Sequence, residues 1–348
     1  MATAIGSTPH TDPATAVEVI FDAIPDAPIW PQLPKRGLYE QMEIQYSEGL
    51  PRVVIEEDKG RMFIDTSGDY SEDLATFYEA YLAAEETGDC SPLAISPQFS
   101  AGFPAMEAKL ASLGTQVPLV KCQTVGPVSF ALTIVDKNKR AIYYNGEFVD
   151  AVVKGLAMKC RWQIQKLKPY AENVICFIDE PILSAFGSST YVSVQRDDVV
   201  AKLSEVVDAI HHEGAIAGIH CCGNTEWTIP IDAGVNIVNF DAFEFGETIA
   251  IYPDPMKTHL VDRHNALAWG IVPTSKAIRE QTVESLVEHF EKLADNLSRA
   301  ARIDKQTIVA QAFITPSCGT GTMDVADADR VFKLLKETSQ ALKDKYGF

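Results

Sequence analysis

Short β-rich runs alternate with amphipathic helical stretches along most of this 348-residue chain. That alternation confines it to an α/β fold built on a parallel sheet. Eight runs read as strands: Ala2–Gly6, Leu93–Ser96, Pro118–Thr124, Val174–Ile178, Ala215–Ile219, Val235–Phe240, Ala266–Trp269 and Thr307–Phe313. Helical patterns cover Glu147–Lys168, Asp197–Glu213, Glu280–Arg302 and Asp327–Lys345, and Gly214 stops the second of these. About eight strand–helix units imply closure into a (β/α)8 TIM barrel, with residues 1–348 as a single catalytic domain. A doubly wound open sheet is the main rival. Arg52–Glu57 and Arg61–Ile64, flanking Asp58-Lys59-Gly60, read as a small β-hairpin inserted before the second strand. Residues 31–90 fit neither plan and are candidates for a cap over the barrel mouth.

Bulk properties narrow the function. Lys and Arg total 30 against 48 Asp and Glu, a net charge of −18. So acidic a surface repels phosphate backbones, which argues against nucleic acid as a partner. No apolar run is long enough for a membrane span, and the polar stretch Met1–Pro13 lacks the apolar core of a signal peptide. Seven cysteines, an odd number spread over a long chain, suit the reducing cytoplasm better than a disulfide framework. No Gly-x-Gly-x-x-Gly or Walker loop is present to bind a dinucleotide or ATP.

The polar signals share one position, directly after a strand. Asp179-Glu180, His220-Cys221-Cys222 and Cys318 all stand there, and in a parallel barrel those strand ends meet on the face that carries active sites. Side chains alternate along a strand, so His220 and Cys222 face one side and Cys221 the other. Imidazole and thiolate suit a tetrahedral Zn2+, and catalytic sites leave one position for substrate. Two thiolates with a carboxylate make such an ion a poor Lewis acid for water. It still depresses the pKa of a bound thiol and leaves the sulfur electron-rich, as attack on a methyl group requires. Each cysteine alone also fits an ordinary core position, since free cysteine is among the most buried residue types. The cluster, with Gly223 and Gly319 directly after two of its members, is what points to metal. A carboxylate at the mouth, Asp179 or Glu180, can hold a substrate ammonium or pair with a neighbouring loop. Ile5, Gly6 and Ser7 offer backbone amides and a hydroxyl to a carboxylate, or a flexible terminus. Asp208, His211, His212 and Gly214 loosely match the corrinoid-binding Asp-x-His-x-x-Gly loop, but Asp208 lies three residues before His211 and the segment reads as a helix end.

Taken together these segments resemble the C-terminal catalytic barrel of cobalamin-independent methionine synthase, over most of the chain. Ile5-Gly6-Ser7-Thr8-Pro9-His10-Thr11 is similar to that family's first-strand motif, and Val125-Gly126-Pro127-Val128-Ser129 to its Thr-Gly-Pro-Val-Thr segment. Phe177-Ile178-Asp179-Glu180-Pro181 is similar to its Ile-Asp-Glu-Pro-Ala segment, and the His220/Cys222 and Pro316/Cys318/Gly319 motifs to its zinc-ligand motifs. The resemblance implies a (β/α)8 barrel with His220, Cys222, Glu244 and Cys318 as zinc ligands, Glu244 lying about 22 residues beyond Cys222. It also implies homocysteine as methyl acceptor, its carboxylate held at Ile5–Ser7 and its ammonium at Asp179.

Two departures shape the expected donor. The long members carry a preceding second barrel that helps bind methylfolate polyglutamate, whereas the first-strand motif here begins at residue 4, so none is expected. The family's Asp-Ile-His-Ser segment, whose histidine is the proposed acid for the folate nitrogen, is replaced by Trp269-Gly270-Ile271-Val272-Pro273-Thr274-Ser275. Methylfolate needs a proton on its leaving nitrogen; methylcobalamin does not. Cys222-Gly223-Asn224-Thr225 is also similar to the methylcobalamin:coenzyme M methyltransferases. The expected function is a short methionine synthase using methylcobalamin, free or on a corrinoid protein. The alternatives are a methylfolate donor, methylation of another thiol such as coenzyme M, or a non-catalytic barrel with structural zinc.

Overall fold

A computed structural model describes residues 1–348 and shows one α/β domain around a curled parallel sheet. An antiparallel hairpin comes first in the chain, β1 (Val53–Glu56) and β2 (Arg61–Ile64), paired from Val53–Ile64 to Glu56–Arg61 as expected. The sheet follows in strict sequence order: β3 (Val117–Val125), β4 (Ala171–Asp179), β5 (Ile216–Cys221), β6 (Ile237–Phe240), β7 (Ala266–Val272) and β8 (Ala312–Pro316).

The sheet has six strands, which corrects the expected closed eight-stranded barrel. Residues near both ends of the ladder make only isolated parallel bridges, Ala2–Ile314, Ser7–Gln32 and Ile29–Lys121. The cause is local chemistry. Pro28 and Pro31 bracket the second of these segments and have no N–H to give a ladder, and Gly6 and Pro9 interrupt the first. The position beside β3 therefore belongs to Ile29–Gln32 and not to Leu93–Ser96. That run begins in a 3-10 turn, Ser91–Leu93, and lies over the helix Gly146–Leu167, where Lys159 Nζ donates to Leu93 O at 3.1 Å. The last strand is also displaced from Thr307–Phe313. Asp304 caps a short helix, Lys305–Ala310, and β8 begins after it. An N-cap at Asp304 outweighs the β-branched Thr307, Ile308 and Val309.

Long helices cover the outer face. Gly146–Leu167, Arg196–His212, Val283–Ala301 and Val325–Tyr346 match the four helical patterns to within a few residues. Asn145 and Thr282 cap the first and third. Their apolar faces and the outward side chains of the strands form the main core. Inward side chains at the base of the sheet form a second, smaller cluster that includes Leu119, Ile175, Phe177, Ile237 and Ala268. Gly218 gives room there, since a Cβ on it would collide with the Phe177 ring. Above this plug the inward positions turn polar, and the site begins. No helix is long and apolar enough to cross a membrane.

Candidate metal centre

Three donor atoms meet at the C-terminal ends of β5 and β8. The ligand atoms of His220, Cys222 and Cys318 all lie within 4.8 Å of one another. His220 is the inward residue near the end of β5, and Cys222 follows one residue beyond the strand. Cys318 stands two residues beyond β8. Cys221, between the first two, is buried on the other side and outside the group. The pleat separates these neighbours as the alternation implied.

Asn239 prepares the histidine. It sits across from His220 in the β5–β6 register. Its Nδ2 donates to Ala268 O and Thr315 Oγ1, each at 2.8 Å, which fixes the amide and leaves Oδ1 facing His220 Nδ1. Nδ1 therefore carries the proton, and Nε2 keeps its lone pair. Burial lowers the imidazole pKa to about 4, so the ring is neutral. Nε2 is buried without any partner, an orphaned acceptor aimed at two thiols. This is the arrangement in which a ligating histidine is oriented by a hydrogen bond on its other nitrogen. The thiols interact with each other. A hydrogen bond with Cys318 pulls Cys222 down to about 7 and pushes Cys318 well up. One imidazole and two thiols, half enclosed, fit Zn2+ with a position left over.

The fourth donor implied by the resemblance is not brought in. Glu244 is exposed and lies outside the donor group. Asp241 also lies outside the donor group, and it acts on the group through its charge. It follows β6 directly, beside Cys222 if the β5–β6 register is continued, and its charge acts on the Cys222 thiol. It is buried, its Oδ1 accepts from Glu244 N at 2.9 Å, and burial raises its pKa to about 6. Its place at the end of β6, and not any motif, sets it beside Cys222.

A cavity of about 250 Å³ opens over the three donors, and Asp179, Ile5 and Ser7 line it with them. Asp179 Oδ1 is buried and unpartnered. Burial pushes this carboxyl up to about 7, while the Lys121 ammonium pulls the other way. Ser7 is tied to the loop that carries Cys318: its carbonyl accepts from Thr320 N at 2.8 Å, and its Oγ from Gly321 N at 3.3 Å. A Cβ on Gly319 would collide with Ser7 Oγ, so the loop approaches this closely only as glycine. Gly6 is likewise confined by Gln32 Oε1.

Glu180 does not line the cavity. It is fully buried, and its oxygens accept from Val128 N (2.8 Å), Ser129 N (2.8 Å) and Ser129 Oγ (2.6 Å) at the start of the helix Pro127–Thr133. A carboxylate on a helix N-terminus is well placed electrostatically. It anchors the loop after β3, and its neighbour Asp179 is the one facing inward.

The remaining wall comes from the segment expected to cap the mouth. Gln32, Pro34, Glu40, Gln41 and Met42 line the cavity opposite the strand ends. Gln45 Nε2 donates to Phe99 O at 2.7 Å, so its Oε1 accepts from Gln32 Nε2 at 2.7 Å. Gln32 Oε1 is thereby left as an acceptor beside Gly6. Glu40 is buried and accepts from Leu33 N and Arg36 Nε at 3.2 and 2.9 Å. None of these residues had a sequence signal, because only the fold brings them to the mouth.

No family model and no curated protein matches the chain. Among solved structures it is similar to a methyltransferase from Methanosarcina mazei, at 12% identity, over 97% of this chain and 87% of that one, with a TM-score of 0.54. That likeness shows a shared fold. A Xaa-Pro dipeptidase with bound methionine matches over 70% of this chain at a TM-score of 0.26, too little to inform the fold.

Proposed function

We propose that this chain is a zinc-dependent thiol methyltransferase that makes methionine from homocysteine, with methylcobalamin, free or on a corrinoid protein, as the methyl donor. The observation that carries the reading is the pair of orphaned buried atoms on one cavity. His220 Nε2 faces two thiols, and Asp179 Oδ1 stands unpartnered beside them. The first suits a thiophilic metal, the second an ammonium, and homocysteine joins a thiol to an ammonium. The likeness to the Methanosarcina mazei methyltransferase supports methyl transfer in general.

His220, Cys222 and Cys318 would hold the ion, with the fourth position left for the substrate thiol. Bound there, zinc lowers the pKa of a substrate thiol and keeps its sulfur electron-rich. The chain itself does the rest. Asn239 holds the imidazole in the tautomer that presents Nε2. Asp179 Oδ1 and Gln32 Oε1 receive the ammonium, and Ser7 with the Gly6 and Ser7 amides receives the carboxylate. Pro34, Glu40, Gln41 and Met42 form the wall opposite the strand ends. The loop after β7 offers no imidazole: Thr274 N donates to Ser317 Oγ at 3.1 Å. A donor whose leaving group needs no proton suits such a loop, and methylcobalamin is one.

A structural zinc would draw four protein donors together, and three gather here. Coenzyme M lacks the ammonium that Asp179 would receive. A donor panel tests the reading: methylcobalamin, methylcobinamide and methyltetrahydrofolate, each with homocysteine and with coenzyme M, on zinc-loaded protein. Methionine from methylcobalamin and homocysteine is the expected product. Its absence from every homocysteine arm refutes the assignment, and product from methyltetrahydrofolate alone moves the donor to folate.

A further inference from the structure

The residues assigned to the substrate's amino-acid end lie outside the six-stranded ladder. Residues 1–8 and 26–32 meet their neighbours through isolated bridges, with few backbone hydrogen bonds. Inward side chains of β3 make up the deficit from inside. Lys121, completely buried, donates through Nζ to the carbonyl of Ile5 and to Gln123 Oε1, the latter at 3.3 Å. Gln123 Nε2 in turn donates to Trp30 O at 3.2 Å. The ammonium lies 4.5 Å from the centre of the Phe177 ring.

A lysine is a costly choice for this position. Its hydrogen bonds go to neutral oxygens, and a buried charge held in that way is harder to accommodate than an apolar chain of the same length. Asp179 is the carboxylate whose charge bears most on it. What the lysine gains is the Ile5–Gly6 peptide. With Ile5 O held by Lys121 and Gly6 O held by Gln32 N at 3.1 Å, the peptide planes on both sides of Gly6 are fixed. The amides of Gly6 and Ser7 find no acceptor in the chain, and Ile5 and Ser7, on either side of Gly6, line the cavity.

We propose that Lys121 is a positioning residue for recognition of the substrate's carboxylate: from the concave face of the sheet it locks the Ile5–Ser7 backbone so that its unpaired amides are held ready for an anion. This rests on the assignment of Ile5–Ser7 as the carboxylate subsite of a homocysteine enzyme. The test compares homocysteine with 3-aminopropane-1-thiol, which keeps the thiol and the amine and lacks the carboxylate. Binding of each is measured by calorimetry on zinc-loaded wild type, K121M and K121R, with zinc content and thermal unfolding recorded for all three. In K121M, homocysteine affinity falls roughly tenfold or more, about 1.4 kcal/mol, while the aminothiol binds as before. K121R, which keeps a buried cationic donor, restores part of the preference for homocysteine. Unchanged homocysteine binding in K121M, or an equal loss for both thiols with zinc retained, overturns the proposal. If K121M fails to hold zinc, K121R decides: a retained preference supports the role and a lost one refutes it. A wild type that does not prefer homocysteine to the aminothiol sinks the subsite assignment itself.

Discussion

Replacing Asn239 by leucine isolates the outer support of the metal centre. The side chain is buried, and both its donor contacts are taken by Ala268 O and Thr315 Oγ1. The amide cannot flip, so Oδ1 is the acceptor that keeps His220 protonated on Nδ1 and unprotonated on Nε2. Leucine, similar in volume, fills the space and removes the acceptor. The imidazole then loses both its preferred tautomer and its fixed orientation, while Cys222 and Cys318 keep their places. Loss of such a partner weakens metal affinity by roughly 10- to 100-fold, which is about 1.4–2.7 kcal/mol. The assay is equilibrium competition for Zn2+ against a chromophoric chelator at fixed pH. N239D is the control: it keeps an acceptor toward His220, so its loss is smaller than that of N239L even though its donors are gone. Zinc affinity in N239L equal to that of the wild type refutes the orienting role and with it the reading of Nε2 as the ligand atom.

Three further outcomes are expected. D179N removes the charge on the unpartnered oxygen at the cavity; homocysteine binding weakens by about 2 kcal/mol, in the range for hydrogen bonds to charged groups, with zinc affinity unchanged, both read by calorimetry. G126A drives a Cβ into the Glu180 carboxyl and costs about 1–3 kcal/mol, as overpacking does, measured by urea unfolding. His259 is buried, its Nε2 bonds Ala266 O at 3.1 Å, and burial lowers its pKa from 6.5 to about 4. The unfolded chain therefore takes up its proton first. This contribution to stability is complete above pH 6.5 and fades toward pH 4, amounting to about 2 kcal/mol lost at pH 5. H259Q flattens the wild type's acid slope between pH 7.5 and 5 by that amount in urea titrations, and an unaltered slope contradicts it.

Much of the architecture is legible in the sequence because it depends on local pattern. The hairpin was visible from two short β-rich runs flanking Asp58-Lys59-Gly60, and the four long helices from their apolar period. The triad His220, Cys222 and Cys318 was visible because strand ends share a face and side chains alternate. What was hidden depends on competition or on distance. Asp304 turned a β-branched run into a helix cap. Pro28 and Pro31 concealed the segment that lies beside β3, and the apolar run at Leu93 was a plausible substitute. Asn239, Asp241, Gln32 and Lys121 carry no motif of their own. Each matters through what the register sets beside it, and neither Glu244 nor Asp241 joins the three-donor group.

Zinc K-edge X-ray absorption on the metal-loaded protein, with and without homocysteine, tests the central claim most directly. One nitrogen and two sulfurs from the chain, plus a light oxygen or nitrogen neighbour, are expected before substrate. Homocysteine should replace that light neighbour with a third sulfur at about 2.3 Å. A spectrum that does not change when homocysteine is added, or a resting shell without two sulfurs, contradicts a centre built on His220, Cys222 and Cys318 to receive a thiol.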